Sequence, residues 1–587
     1  MKRAREKILL FPLLLAASAG ASDLNVDFIS QFDGAPVAFD AIKYQTAAGQ
    51  KISVTRLDFL ASDIALRRDD GTWIGQTNWF AYIGTREGKT SFILPGIPAA
   101  GYDRVRFHIG LEPSVNRRDA AQWPAEHPLN PDVNHLYWGW SREYVFLALE
   151  GGWLNGGELG GYSYHLATDR SLMTVELPVA LDLHSGRELQ IALKVDKIFS
   201  APNLIRLSDI TDATHSRTND TLAVKLRQNV EGGFAVAGVT DFSPVAELVH
   251  DANVEIAPDA TPYRLTFSRF FPRPDLPRDN PLTVEGVSLG RQLFFDRRLS
   301  ANNSESCAKC HHPNSAFTEP RRFSRGVDGD FGTRNAPALE NLAWKSSFFW
   351  DGRAATLRQQ VLQPIQNPVE MHATLPNVVA KIATDKNYSQ LFAAAFGSRQ
   401  ITSDRIARAL EQFLLTRVSF NSKFDRVMNG WENFTDQERR GFELFNTEYD
   451  PYHGQFGADC FHCHGGPLLQ SQDFANNGLD SAFRDLGRYD ATHRAGDAGK
   501  FAVPSLRNVA LTAPYMHDGR FQTLDEVVEH YCTGMKRSAT LDPNLAKHPD
   551  GGVPLNDADK RALVAFLKTL TEERFLAPAR PTIGKII

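Results

Sequence analysis

The stretches CAKCH at residues 307–311 and CFHCH at residues 460–464 decide what kind of chain this is. Both read C-x-x-C-H, and together they use four of the five cysteines in 587 residues. Chance would supply roughly 10⁻³ such motifs from this composition, so two copies are a signal. The spacing has a chemical reason. Two thiols, Cys307 with Cys310 or Cys460 with Cys463, add to the two vinyl groups of one porphyrin, and the adjoining His311 or His464 reaches the iron as proximal ligand. Two covalently bound haem c groups are therefore expected. Cys532 has no motif partner and reads as a buried or capped thiol.

Export agrees with haem c, which is attached outside the bacterial cytoplasm. The chain opens MKRAREKILLFPLLLAASAGAS, with Lys2, Arg3, Arg5 and Lys7 ahead of the apolar run 8–15 and small residues at 19–21. That pattern predicts a cleaved signal peptide over residues 1–21 and a periplasmic address. The run is too short to cross a bilayer, and no later segment approaches 20 apolar residues, so no membrane span is expected. A net charge of -5 argues against nucleic acid as a partner.

Outward from the motifs, the chain changes character once. Residues 24–240 alternate with period two, as in Val175, Leu177, Val179, Leu181, Leu183 and again Leu189, Ile191, Leu193, Val195, with HSGR between. Such runs are half-buried strands, and many of them without a long helical pattern predict a β-sandwich over residues 22–245. DATPYRLTFSRFFPRPDLPRDNP, residues 259–281, is proline-rich and aperiodic; it reads as a linker, 246–280, laid across the surface. Helical patterns follow. Thr283 suits an N-cap, Thr435 with Glu438 a capping box, and each helix leads into one haem motif. The fold class is thus multidomain: an N-terminal all-β sandwich, then two mainly α-helical cytochrome c-type haem domains over 281–431 and 432–587.

A third capping box, Thr523 with Glu526, starts a helix on which Val527, Val528 and Tyr531 share one inward face. On pattern alone Tyr531 is a core tyrosine.

Residues 281–587 closely resemble the bacterial di-haem cytochrome c peroxidase superfamily. The carrying stretches include NPLTVEGVSLGRQLFFDRRLS, GTRNAPALEN, FFWDGRAATLRQQVLQPIQNPVEM and VPSLRNVALTAPYMHDGRFQTLDEVVEHY. The resemblance implies that Trp350 relays electrons between the haems and that Gln360 and Glu370 lie over the peroxide-binding haem. It implies for Glu370 a general acid and base role, against the bland reading of an exposed helix glutamate. It also implies a calcium site from Asn335 and the carbonyls of Thr512 and Pro514. Two departures point to a subclass. Val327 stands where classical members carry a histidine that closes the first haem, so that iron is expected to stay open. Tyr531 stands where they carry a ligating methionine, as in MauG, with Met516 and Met535 as fallback ligands, and Pro364 matches the MauG proline over the open haem. A phenolate ligand favours higher iron oxidation states where methionine raises the potential.

Residues 24–240 more loosely resemble the MbnP family of periplasmic proteins linked to copper handling, through VRFHIGLEP, HPLNPDVNHLYWGWSREYVFLALEG, YSYHLAT and FSAPN. MbnH, a MauG-like enzyme, partners MbnP in such families. The resemblance implies oxidation of a front-domain tryptophan to kynurenine, which then helps bind copper. His135, His165 and His215 are imidazoles available for copper, and Trp138 and Trp140 are candidate targets. A structural strand histidine and a core-packing YWGW are the bland alternatives; His108 is on the polar face of its strand.

The expected activity is a periplasmic di-haem enzyme that uses hydrogen peroxide to oxidise a protein side chain, through high-valent iron shared between haems. Two alternatives stay open: a peroxidase that removes peroxide with electrons from a small cytochrome c or copper protein, and a copper-binding or uptake protein whose haem half is a maturation device. Whether the halves meet within one molecule or across a homodimer is open at this level.

Overall fold

The computed structural model describes residues 21–76, 78–124, 126–138, 142–155, 158–208, 210–216, 218–242, 254–451 and 454–575. Trp140, nearly all of the expected signal peptide and the 246–253 part of the expected linker lie outside the described residues.

The N-terminal region is built on β-sheets, with one helix of 11 residues, Thr221–Glu231, that the strand pattern did not announce. Strict alternation in Met173–Asp182 buries Met173, Val175, Leu177, Val179 and Leu181 and exposes the residues between. Val195 departs from the strand reading, because Arg187–Lys194 ends there and a short helix, Val195–Ile198, begins. One sheet holds Phe234–Asp241, Arg187–Lys194 and Ala21–Phe32 side by side; the other runs Met173–Asp182, Gly101–Ile109, Arg56–Arg68, Glu143–Asn155, Glu158–Ala167. Ala21–Phe32 pairs in parallel with Arg187–Lys194, Leu24 against Arg187 through Gln31 against Lys194, so the first strand is tied to one more than 150 residues later. Phe28 from the first sheet meets Phe59 and Phe107 from the second edge to face, with centroids 5.7 and 5.3 Å apart. Face-to-face sheets joined this way are a sandwich.

The period of two also decides what faces outward. In Glu158–Ala167, Tyr162, Tyr164 and Leu166 enter the sandwich core, which turns Ser163 and His165 to the other face. That outer face is not left to water. A Cβ at Gly161 would fall on the Pro543 carbonyl of the second haem domain, so only glycine permits the approach. Arg86 Nη2 reaches Asp497 at 3.0 Å and Lys500 reaches Asp40 at 3.4 Å across the same junction. The two halves therefore touch within one chain.

Residues 259–281 are irregular, as their prolines require, but they do not merely lie on the surface. Phe271 is buried and packs on Trp344 at 5.3 Å, while Trp344 Nε1 donates to the Pro272 carbonyl at 2.8 Å. Aromatic side chains in a proline-rich strap anchor it without any periodicity to announce the fact.

The helical half repeats one device. Thr283 caps Val284–Phe294, its hydroxyl accepting from Gly286 N, and that helix crosses Ser403–Leu415. Thr435 and Glu438 form a capping box at the start of Asp436–Phe445, which crosses Asp557–Lys568. At each crossing a glycine allows contact: a Cβ on Gly290 would strike the Ala409 carbonyl, and one on Gly441 the Ala562 carbonyl. Gly441→Ala is therefore expected to destabilise the second haem domain by about 1–3 kcal/mol through overpacking, although alanine favours helix. Chemical unfolding monitored at the haem would register this, and an unchanged midpoint would mean that the helices do not approach so closely. Among the described residues no helix is long and apolar enough to cross a membrane.

Candidate active site

A cavity of about 1310 Å³ lies between the helical domains. Cys307, Cys310 and His311 line it, with Trp350, Gln360, Pro364 and Glu370 from the first domain and Asn477 and His517 from the second. Neither thiol is in a disulfide, and burial pushes Cys307 up to about 12 and Cys310 up to about 11, so both are neutral thiols rather than thiolates. His311 Nδ1 donates to the Phe317 carbonyl at 2.9 Å, which orients the ring and leaves Nε2 as the donor to a metal. A large cleft with two protonated thiols and one oriented imidazole fits covalently attached haem.

The helix Leu357–Gln366 sets the cavity's polar wall. Thr356 caps it, and Gln360 and Pro364, four residues apart, share one face. Glu370 follows the helix end, where Asn367 Nδ2 donates to Oε1 at 2.6 Å. Burial raises the Glu370 carboxyl above its ordinary value, and the Asn367 bond opposes the shift. Val327 N donates to the Glu370 carbonyl at 2.9 Å, so the aliphatic residue read as replacing a histidine does stand beside Glu370. His517 also lines the cavity, but it stacks on Phe501 with centroids 3.6 Å apart; Met371 does so from within the first domain's core.

Trp350 joins the domains. Its indole Nε1 donates to the Asn335 carbonyl at 2.8 Å, and its own carbonyl accepts from Ala502 N of the second domain at 2.8 Å. Asn335 N donates to the His517 carbonyl at 2.7 Å, which sets Asn335 beside the segment that contains Thr512 and Pro514. Those residues offer neutral oxygens, a donor type that suits calcium.

The second motif is buried more deeply. Cys460 and Cys463 are free thiols held above their ordinary values by burial, and the backbone at Leu469 and Pro504 lies against the His464 imidazole. A cavity of about 380 Å³ carries Cys463 together with Arg56, Arg86, Arg488 and Lys500, cations suited to haem carboxylates. Tyr531 is near enough to both thiols to feel them electrostatically, and burial raises its phenol above the ordinary value. It lies not on the expected α-helix, which ends at Glu529, but on a π-helical turn, His530–Gly534, a local widening often found at functional sites. Asn477 Nδ2 donates to the Tyr531 hydroxyl and contacts Met516 Sδ, each at 3.3 Å. Met535, four residues after Tyr531, is buried beside Gly552. Cys532 is buried in the second domain's core.

The sandwich meets the second motif at its outer face. Trp138, His135 and His165 line a small cavity of about 90 Å³ with Phe461, His462 and Cys463. The Trp138 ring is 5.6 Å from His215 and 6.2 Å from His165, and His215 is 4.8 Å from His462, which stacks on Phe461 at 4.3 Å. The structure thus brings His165 and His215 together. His135 lines the same cavity but is outside their cluster, its carbonyl accepting from Arg56. His108 is elsewhere, facing Asp63 and Glu112. Sequence reasoning missed His462. The only hint was an extra imidazole between the cysteines of CFHCH, and nothing in that motif says what it faces.

Residues 284–433 match the family described as di-haem cytochrome c peroxidase, and residues 21–218 match MbnP. Methylamine utilization protein MauG of Methylophilus methylotrophus is 34% identical over 306 residues, 51% of this chain and 87% of that protein. Cytochrome c551 peroxidase of Nitrosomonas europaea is 34% identical over 308 residues, 51% of this chain and 85% of that protein. A crystal structure of a MauG-like protein associated with microbial copper homeostasis superposes with a TM-score of 0.50 at 35% identity, covering 54% of this chain and 98% of that one.

Proposed function

Because this chain belongs to the di-haem cytochrome c peroxidase and MauG family and carries an MbnP domain on the same polypeptide, we propose that it oxidises Trp138 of that domain with hydrogen peroxide. The single observation that carries the reading is that Trp138 shares a cavity with Cys463, a haem-attachment cysteine, inside one molecule. In overall balance, two peroxides deliver two oxygen atoms to the indole and leave as two waters, giving N-formylkynurenine. One water then releases the formyl carbon as formate, leaving kynurenine.

When bound, the two haems would supply peroxide cleavage and storage of its oxidising equivalents, held by Cys307, Cys310 and His311 and by Cys460, Cys463, His464 and Tyr531. The chain's own groups do the rest. Glu370, kept at a raised pKa and steadied by Asn367, takes the proton from one peroxide oxygen and returns it to the other as water forms. Gln360 adds a hydrogen-bonding group to the same wall, and Pro364 keeps the adjoining turn free of an N–H. Trp350, pinned by Asn335 and Ala502, spans the gap between the haem domains. Asn335, Thr512 and Pro514 would hold calcium at the same junction. A periplasmic address follows from the leader-like start and the haem chemistry. The modified front domain would serve copper, in keeping with the copper-associated relative.

Intact mass and peptide mapping of haem-loaded protein test this. Peroxide is expected to add oxygen to the peptide containing Trp138, and Trp138→Phe to abolish that change. Steady peroxide consumption with a small cytochrome c as donor and no mass change would overturn the proposal.

A further inference from the structure

Three imidazoles that are far apart in sequence meet where the sandwich docks on the second haem domain. A nitrogen of each of His165, His215 and His462 lies within 4.8 Å of a nitrogen of the other two. All three side chains are 5% exposed or less. Each ring also lies against its own buried carboxylate: His165 Nε2 hydrogen-bonds Glu150 Oε1 at 2.8 Å, while His215 Nδ1 is 2.6 Å from Glu448 Oε2 and His462 Nε2 2.8 Å from Asp459 Oδ1. One nitrogen oriented by a carboxylate and the other aimed at an ion is the recurring arrangement around histidine-bound metals. His165 Nδ1 and both ring nitrogens of His215 lack a well-formed protein hydrogen bond, and buried polar atoms rarely stay unpaired without a reason.

We propose that His165, His215 and His462 form one copper site shared by the sandwich and the haem domain, with Glu150, Glu448 and Asp459 orienting the ligands. Three imidazoles select a late first-row ion, and copper heads that series. Charge agrees. The three carboxylates face Lys547, which is 2.8 Å from Glu448 and 2.9 Å from Asp459, and Arg56, which is shared with Asp58, so negative charge remains for a cation to meet. Two ligands come from one domain and the third from within the haem-attachment motif, so an ion bound here ties the halves together. The site rests on the proposed function only for the choice of copper as first probe.

The test is titration of haem-loaded full-length protein with copper(I) against a chromogenic chelator, with zinc(II) as comparator, before and after peroxide treatment. His462→Ala and His215→Ala are each expected to weaken copper at least ~10- to 100-fold. X-ray absorption of the copper-loaded wild type is expected to show three imidazole scatterers at about 2.0 Å. That measurement also decides the matter if His462→Ala disturbs haem attachment. A two-imidazole shell, an unchanged affinity in His462→Ala, or no copper binding before or after peroxide would overturn the site. Three-imidazole binding without oxidation of Trp138 would leave the site standing and remove the proposed function, so the two failures are distinguishable.

Discussion

Glu370→Gln is expected to slow peroxide-driven oxidation about 10²- to 10⁴-fold, the usual worth of a positioned general acid and base. Glutamine keeps the size and the Asn367 contact, so haem attachment and the Soret absorbance should match wild type while the proton has nowhere to go. The pH dependence follows from burial. A carboxyl raised above its ordinary value is deprotonated only above that raised pKa, so the wild-type rate should fall as pH drops through it, higher than an exposed glutamate would give. Glu370→Gln should lack that acid limb. Stopped-flow mixing with peroxide across pH reads both effects, and a variant within a factor of a few of wild type, with the same limb, would remove Glu370 from the chemistry.

Tyr531→Phe is expected to change the second haem strongly while leaving its covalent attachment intact. It deletes the oxygen that faces Asn477 on the π-helical turn, and Met516 Sδ, which shares that contact at 3.3 Å, is placed to take over. Exchange of a phenolate for a thioether should raise the potential by hundreds of millivolts, on the order of several tenths of the ≈ 0.8 V over which axial ligands act. A methionine-ligated spectrum should appear, and peroxide-driven oxidation of Trp138 should be lost. Redox titration and magnetic circular dichroism of Tyr531→Phe, Met516→Leu and the double variant separate the ligands. Unchanged potential and spectrum in Tyr531→Phe would mean that Tyr531 is the core tyrosine its helical pattern suggests.

Much of the architecture was legible because its signals are local. Thr283, Thr435 and Thr523 cap where the pattern places them, since a cap needs only residues three positions apart. The alternation of Met173–Asp182 announced a strand with one buried face. The strap around Phe271 reads as surface in the sequence, because its burial depends on Trp344, more than 70 residues away. Tyr531 was expected on an α-helix, and the widening to a π-turn has no local signature comparable to a cap.

The two haem-attachment motifs and the division into a mainly β and a mainly helical half were determined by sequence alone, because attachment motifs and hydrophobic periods are written in neighbouring residues. Only the tertiary structure shows that Trp138 and two of the candidate histidines stand together against the second haem motif. The period of two turns His165 out of the sandwich, Gly161 lets Pro543 come close, and that docking sets a sheet face against a haem loop. Residues 165, 215 and 462 then share one buried pocket, a proximity created by packing between domains rather than by any spacing along the chain.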